Sequence, residues 1–207
     1  MTADLKPMSL RLHLGCFDQP REGWVNTDIT PHIWIARVPL LASALYRSGR
    51  MTRERWQQHH QGIFKKVRYL DVTRRFPYPD NTFEAVFSCH LLEHLYPDQA
   101  RSCIAETLRI LKAAGICRIV VPDLDKMVRD YHPDDPQPFL RAIFECADRG
   151  TQKNLHHWHY NEKSLVSLLL SAGFRHAYRC EYHQGSCPDL EILDNRPESL
   201  FVEAQKQ

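Results

Sequence analysis

The feature that most constrains this chain is an alternation. Short apolar runs each stop at a glycine, an acid or a proline, and stretches with helical spacing separate them. Leu10 to Leu14 (LRLHL) alternates apolar residues and halts at Gly15, which reads as a first strand. Trp24 to Ile29 (WVNTDI) reads as a second. Only about nine residues separate the two, too few for a crossover helix. Val67 to Val72 is a third. Ala85 to Cys89 and Ile116 to Val121 are continuous apolar runs of the kind buried on both faces. Arg175 to His183 and Ser199 to Ala204 are the last two.

Between them lie the helices. Pro39 suits a first turn and not a helix middle, so the spacing predicts a break near 38 and a helix from about 39. A second helix starts at Pro97, with Ala100, Cys103, Ile104, Thr107, Leu108 and Leu111 at helical spacing, and Gly115 is expected to end it. An apolar face follows at Phe139, Leu140, Ile143, Phe144 and Ala147. Asn161 can cap a helix that holds Leu165, Val166, Leu168 and Leu169 and stops at Gly173. This pattern predicts an α/β, Rossmann-like three-layer sandwich: a seven-stranded, mostly parallel sheet with helices on both faces.

At 207 residues, with 43% hydrophobic and 25% charged residues, the chain has the composition of one globular domain, not of a disordered or fibrous chain. A formal charge of +2 does not point to a large polyanion-binding surface, and no strong nucleic-acid signal is present. The most apolar stretch, Ile33 to Tyr46, contains Arg37 and Pro39 and is too short to span a bilayer. MTADLKPMSL lacks the apolar core of a secretory signal. Seven cysteines, at 16, 89, 103, 117, 146, 180 and 187, form no CxxC pair. That is usage for a reducing compartment, and the expected location is cytoplasmic.

In such sheets ligands bind beyond the carboxyl ends of the strands. Those ends carry Gly15, where backbone can pass close to a ligand; Asp28, placed to accept from ribose hydroxyls; Asp71, able to accept from an adenine amino group; and Ser88, Cys89 and His90. Two acids at consecutive strand ends behind a glycine turn make a nucleoside-binding pattern.

LHLGC at 12–16, GWVNTDI at 23–29, LDV at 70–72, FPYPDNTFEAVFSCHLLEHL at 76–95 and ETLRILKAAGICRIVVPDL at 106–124 resemble a class I S-adenosylmethionine-dependent methyltransferase. The nearest likeness is the small bacterial subgroup with a shortened link between strands one and two. SLLLSAGF at 167–174 and ESLFVEAQK at 198–206 fit as well. The resemblance implies S-adenosylmethionine as cofactor. It places the cofactor loop on Gly15, Cys16 and Phe17, the ribose acid on Asp28, the adenine-proximal acid and its neighbour on Asp71 and Val72, and the methionine end beside Ser88 and His90. Two positions depart from the family. Phe17 stands where glycine is usual, and Ala114-Gly115 where Pro-Gly is usual. Segments 31–66 and 123–160 fall outside the likeness and are expected to form a substrate-side cap.

His90 to His94 spells HLLEH, which matches an inverted zinc motif with both histidines on one helical face. Its place at a strand–helix junction argues against a zinc peptidase, and no metal is expected. His156, His157 and His159, with Trp158 and Tyr160, read as a pocket-edge wall able to stack on a ring. Arg47 to Arg68 holds seven basic residues and one acid. It is either a solvated helix face or a surface for an anionic substrate or a membrane.

The expected activity is methyl transfer to an oxygen or nitrogen of a small-molecule or glycan-like acceptor, anionic if the basic segment faces the pocket. His90 is the best-placed base by sequence, and His157 and His159 are the alternatives that the second segment could bring. The other reading is a binding module of the same fold without catalysis.

Overall fold

The computed structural model describes residues 10–144 and 155–207. The 123–160 segment carries α5 (Leu124–Arg129) and α6 (Gln137–Phe144), and Cys146 and Ala147 lie outside the described residues. Seven strands form one sheet: β1 (Arg11–Leu14), β2 (Val25–Asp28), β3 (Val67–Tyr69), β4 (Phe83–Cys89), β5 (Leu111–Val121), β6 (His176–Cys180) and β7 (Leu200–Gln205). Their order is β3-β2-β1-β4-β5-β7-β6. The first five pair in parallel, and β7 runs antiparallel to both β5 and β6. Leu14 is in register with Thr27 on one side and Ser88 on the other, so β1, β2 and β4 end level with one another. Among the described residues, no helix is long and apolar enough to cross a membrane.

The two sheet faces are covered differently. On one, Leu12, Leu14, Val86, Ile119, Val121 and Val202 pack against α4 (Pro97–Ile110) and α7 (Glu162–Ser171) through Ile104, Leu165 and Leu169. Both helices start as the sequence predicts. Pro97 leads α4, and Asn161 caps α7 by accepting from the Ser164 amide at 3.0 Å. On the other face, Ala85, Phe87, Val120 and Phe201 would be bare, because the β1–β2 link has no helix. The long β6–β7 connection fills that place. Its Cys187, Leu190 and Leu193 pack there beside Trp24, the last two from α8 (Leu190–Leu193). Asp189 fastens this cover, accepting from Trp24 Nε1 at 2.9 Å and Arg11 Nη1 at 2.8 Å.

Beneath that cover sits a fully buried ionic cluster. Arg118, on β5, directs all its guanidinium N–H groups inward. They reach both oxygens of Asp194, Glu203 Oε1, and the carbonyls of Glu181 and Gln184. Glu203 in turn accepts from the amides of Ser186 and Cys187 at 2.7 and 3.0 Å. A side chain on Gly185 would collide with Glu203, which is why this turn has none.

Several boundaries differ from the sequence expectation, among them the ends of α4, β3 and β6, the last of which stops at Cys180 and not His183. α4 stops at Ile110, not Gly115. Lys206 Nζ donates to the carbonyls of Arg109 and Leu111 at 3.3 and 2.7 Å, and the chain turns extended at Leu111. The β4–β5 register then jumps from Phe83↔Leu111 to Ala85↔Ile116 around Ala114, which is left-handed at φ 58°. The 31–66 segment is the β2–β3 crossover, in three short helices: α1 (His32–Ile35), α2 (Leu41–Arg47) and α3 (Arg53–His60). The break before α2 falls where Pro39 predicts, with Leu40 left-handed at φ 63°. β3 ends at Tyr69, three residues early.

Candidate functional site

The loop after β1 is built for close approach. Gly15 has φ 66°, and a Cβ there would come within 3.0 Å of Leu91 Cδ1. Cys16 is buried with Ile33 and Val67, and burial pushes its thiol far up, so it is a packing residue. Phe17 is left-handed at φ 44°. Its amide donates to Asp28 Oδ2 at 3.0 Å, while the Thr30 amide donates to Asp28 Oδ1 at 2.7 Å. The loop and the β2 end therefore share one carboxylate. Each of its oxygens keeps a further lone pair for a ribose hydroxyl. Burial raises the Asp28 carboxyl, and these amides partly offset that.

The Phe17 ring is not loose. The Arg55 guanidinium lies 4.5 Å above it, and Phe64 is 6.3 Å away. Arg55 is itself fixed to Asp18 at 2.9 Å and Gln58 at 2.6 Å. Thus α3 is bolted to the loop after β1. Behind it, His32 and His59 share a 2.9 Å contact, and His32 stacks on Phe64.

Asp71 accepts from the Thr73 amide and hydroxyl at 3.0 and 2.6 Å and pairs with Arg74 at 3.1 Å. Burial alone would raise it, but Thr73 and Arg74 hold the carboxyl below its ordinary range. Val72 and Ser88 are buried. The residues assigned to the cofactor thus stand at the ends of β1 to β4, in the order the resemblance implies.

HLLEH does not form one helical face. His90 is left-handed at φ 51°, and a 3₁₀ turn covers only Leu92–His94. The two histidines consequently part. His90 Nε2 meets Ser199 Oγ at 2.9 Å, and Arg196 Nη1 donates to His90 Nδ1 at 3.1 Å. Because guanidinium can only donate, Nδ1 is the lone-pair nitrogen and Nε2 carries the proton. His94 Nδ1 instead donates to the Leu155 carbonyl at 3.2 Å.

A cavity of about 370 Å³ opens beside His90, past the ends of β4 and β5. His90, Asp123, Lys126, Phe139, His156 and Arg196 are among its lining residues. The basic residues of 47–68 do not line it: Arg55 is taken by Asp18, and Lys65 borders a separate apolar hollow with Ile33 and Phe64. Segment 31–66 therefore flanks the loop after β1, while Asp123, Lys126, Phe139 and His156 of the other segment border this cavity. Of the aromatic wall expected at 156–160, only His156 faces the cavity. Tyr160 is buried core, and His157 stacks on Tyr96 at 4.2 Å. Sequence reasoning missed Arg196 and Ser199. They arrive on the β6–β7 connection, and no local pattern marks them.

A methyltransferase-domain family model matches residues 44–119, a stretch that holds Asp71, Ser88 and His90 but not Gly15 or Asp28. Solved structures match nearly the whole chain. One is a SAM-dependent methyltransferase from Archaeoglobus fulgidus, 14% identical, with 96% of this chain and 86% of that one covered at a TM-score of 0.53. Another, from Methanosarcina mazei, is 17% identical, with 95% and 92% covered at 0.51. PigF, solved with SAH, is 13% identical, with 96% and 50% covered at 0.50.

The fold is that of a class I S-adenosylmethionine-dependent methyltransferase. The matched family model is that of a methyltransferase domain and covers fewer than half of the residues. S-adenosylmethionine fits the end of β2, where Asp28 retains acceptor capacity beyond its two amide partners, whereas the missing side chain of Gly15 makes room for Leu91.

Proposed function

We propose that this protein is an S-adenosylmethionine-dependent methyltransferase that acts on an oxygen or nitrogen of a small-molecule or glycan-like, anionic acceptor held in the cavity of about 370 Å³. The observation that carries this reading is the position of His90. It ends the strand next to β1, whose loop takes the cofactor, and it also lines the cavity. Gly15, Cys16, Phe17, Asp28, Asp71, Val72 and Ser88 hold the donor.

S-adenosylmethionine supplies a methyl group made electrophilic by its sulfonium. The protein's part is to align the acceptor and keep water out. Phe139 and Met127 give the cavity apolar walls, and Lys126 and Arg196 give it two cations. His90 accepts the acceptor's proton at Nδ1, the lone-pair nitrogen. Arg196, which occupies that nitrogen without an acceptor, moves onto the acceptor's negative group. Segments 31–66 and 123–160 act as two walls, one over the donor and one over the acceptor.

The test is calorimetric titration with S-adenosylhomocysteine, followed by a screen of anionic acceptors with wild type, Arg196→Ala and Arg53→Ala/Arg55→Ala. Binding with Kd below about 100 μM, near −5.5 kcal/mol, supports the donor site. An acceptor KM raised by Arg196→Ala and unmoved by the double variant supports the acceptor site. Turnover indifferent to Arg196 removes the cavity from the reaction.

A further inference from the structure

We propose that Glu93, His94 and His156 bind one divalent transition-metal ion of the zinc type at the inner wall of the acceptor cavity. One ligand atom from each lies within 4.8 Å of the other two, close enough for a single ion to join them after small side-chain rotations. Glu93 is 0% exposed, and neither carboxylate oxygen has a hydrogen-bond partner. A buried carboxylate in that condition is costly unless something cationic meets it. His90 Nδ1 is 3.3 Å from Glu93 Oε1, but Arg196 already donates to that nitrogen, so two acceptors face each other there.

The histidine chemistry agrees. His94 donates its Nδ1 proton to the Leu155 carbonyl, which leaves Nε2 as the lone-pair nitrogen. A second-shell carbonyl of this kind sets the tautomer of a metal-ligating histidine. The two arms of the site are also tied together without any ion. The Glu93 carbonyl accepts from the amides of His157 and Trp158 at 2.8 and 3.1 Å. The sequence keeps these arms some sixty residues apart, so the HLLEH motif points to the wrong pair, His90 with His94.

Two imidazoles and one carboxylate suit zinc or its borderline neighbours better than magnesium or calcium. Three protein ligands leave a coordination position open. His156 lines the cavity, so the ion would sit at the edge of the space assigned to the acceptor. Polarisation of an acceptor oxygen there would favour O-methylation; this consequence rests on the acceptor reading above, whereas the binding itself does not.

The experiment uses the full chain, tag-free and stripped with chelator, with no methyl donor or acceptor present. Zn²⁺ is titrated by calorimetry and Co²⁺ by visible absorption. The expected result is one equivalent of Zn²⁺ and the d–d bands of Co²⁺ in a low-coordinate site. Glu93→Gln and His156→Ala should each weaken Zn²⁺ by at least about tenfold. His156→Ala should keep the wild-type S-adenosylhomocysteine affinity, which separates a lost ligand from a damaged fold. If Glu93→Gln does not fold, His94→Ala with His156→Ala decides. Less than stoichiometric Zn²⁺ on the stripped wild type, or one equivalent that the folded variants bind equally well, overturns the proposal. Loss of the acceptor reading with Zn²⁺ binding intact would leave it standing.

Discussion

Arg118 and Asp194 meet as a two-pronged ion pair in the protein interior, Nε to Oδ1 at 2.9 Å and Nη2 to Oδ2 at 2.5 Å, with both side chains fully buried. The pair joins β5 to the connection that replaces the missing first crossover helix. That same connection carries Arg196 and Ser199 to His90. A structural ion pair thus positions one wall of the cavity beside His90.

Asp194→Ala should destabilise the fold by about 3–5 kcal/mol, because the Arg118 charge stays buried and Glu203 alone cannot offset it. Urea unfolding measures this. A loss under about 1 kcal/mol would show that the β6–β7 connection relaxes and admits water.

Much of this architecture was legible in the residues. Apolar runs closed by Gly15, Asp28 and Pro122 place β1, β2 and β5, and Pro97 and Asn161 place the starts of α4 and α7. The short β1–β2 link was legible too, but not its remedy, since the packing of Leu190 and Leu193 on Phe87 joins residues about a hundred positions apart. The site divides in the same way. Gly15, Asp28, Asp71 and His90 sit at strand ends, which periodicity reveals. Arg196, and the meeting of Glu93 with His156, depend on long-range contacts that no spacing encodes. HLLEH does not keep its two histidines on one helical face, because Cys89 runs into a left-handed His90.

His13 gives the fold a pH signature. It is 4% exposed beside Phe87, and burial, helped by the Arg21 charge, lowers its imidazole to about 4. The unfolded chain takes up a proton near the ordinary value of about 6.5, and the folded one does not until about 4. Stability is therefore full above that ordinary value and falls as pH drops through this window, by about 3 kcal/mol in total, with no further loss below it. His32, also lowered to about 4 by burial and by His59, acts in the same direction. Urea midpoints between about pH 7.5 and about pH 4 should show the fall, and His13→Gln should flatten it. A profile identical in the variant assigns the effect elsewhere.

Ala114 holds a left-handed conformation, φ 58°, at the jog where β5 changes register. Ala114→Gly should stabilise the protein by about 1 kcal/mol, since glycine takes that conformation without a Cβ penalty. Gly115→Ala should do the reverse, as its Cβ would lie 2.8 Å from the Lys112 carbonyl. Thermal melts of the two variants should move in opposite directions.

Asp28→Ala removes the acceptor shared by the Phe17 and Thr30 amides and the site assigned to the ribose. S-adenosylhomocysteine should bind about 1.5–3 kcal/mol more weakly, the scale of hydrogen bonds to a charged group. Wild-type affinity would show that the end of β2 does not hold the ribose.

Phe17 is the sharpest departure from the family pattern, and its contacts set two opposed effects against each other. At φ 44° a bulky residue is strained, which glycine would relieve by about 1 kcal/mol. Its ring also lies under Arg55, 4.5 Å away, a contact worth about 0.5–1 kcal/mol when partly exposed. These nearly cancel, so Phe17→Gly should change overall stability little. The amide that donates to Asp28 is backbone and survives the change, so S-adenosylhomocysteine affinity should be kept or improved. What should change is α3. Without the ring its hold on the cofactor loop is Arg55 and Gln58 to Asp18, a partly exposed set of contacts. Hydrogen exchange of the amides in Arg53–His60 should then quicken in Phe17→Gly, while those of α4 stay as in wild type. Slower cofactor binding with unchanged α3 exchange would instead make the ring part of the donor pocket, and α3 an independent helix.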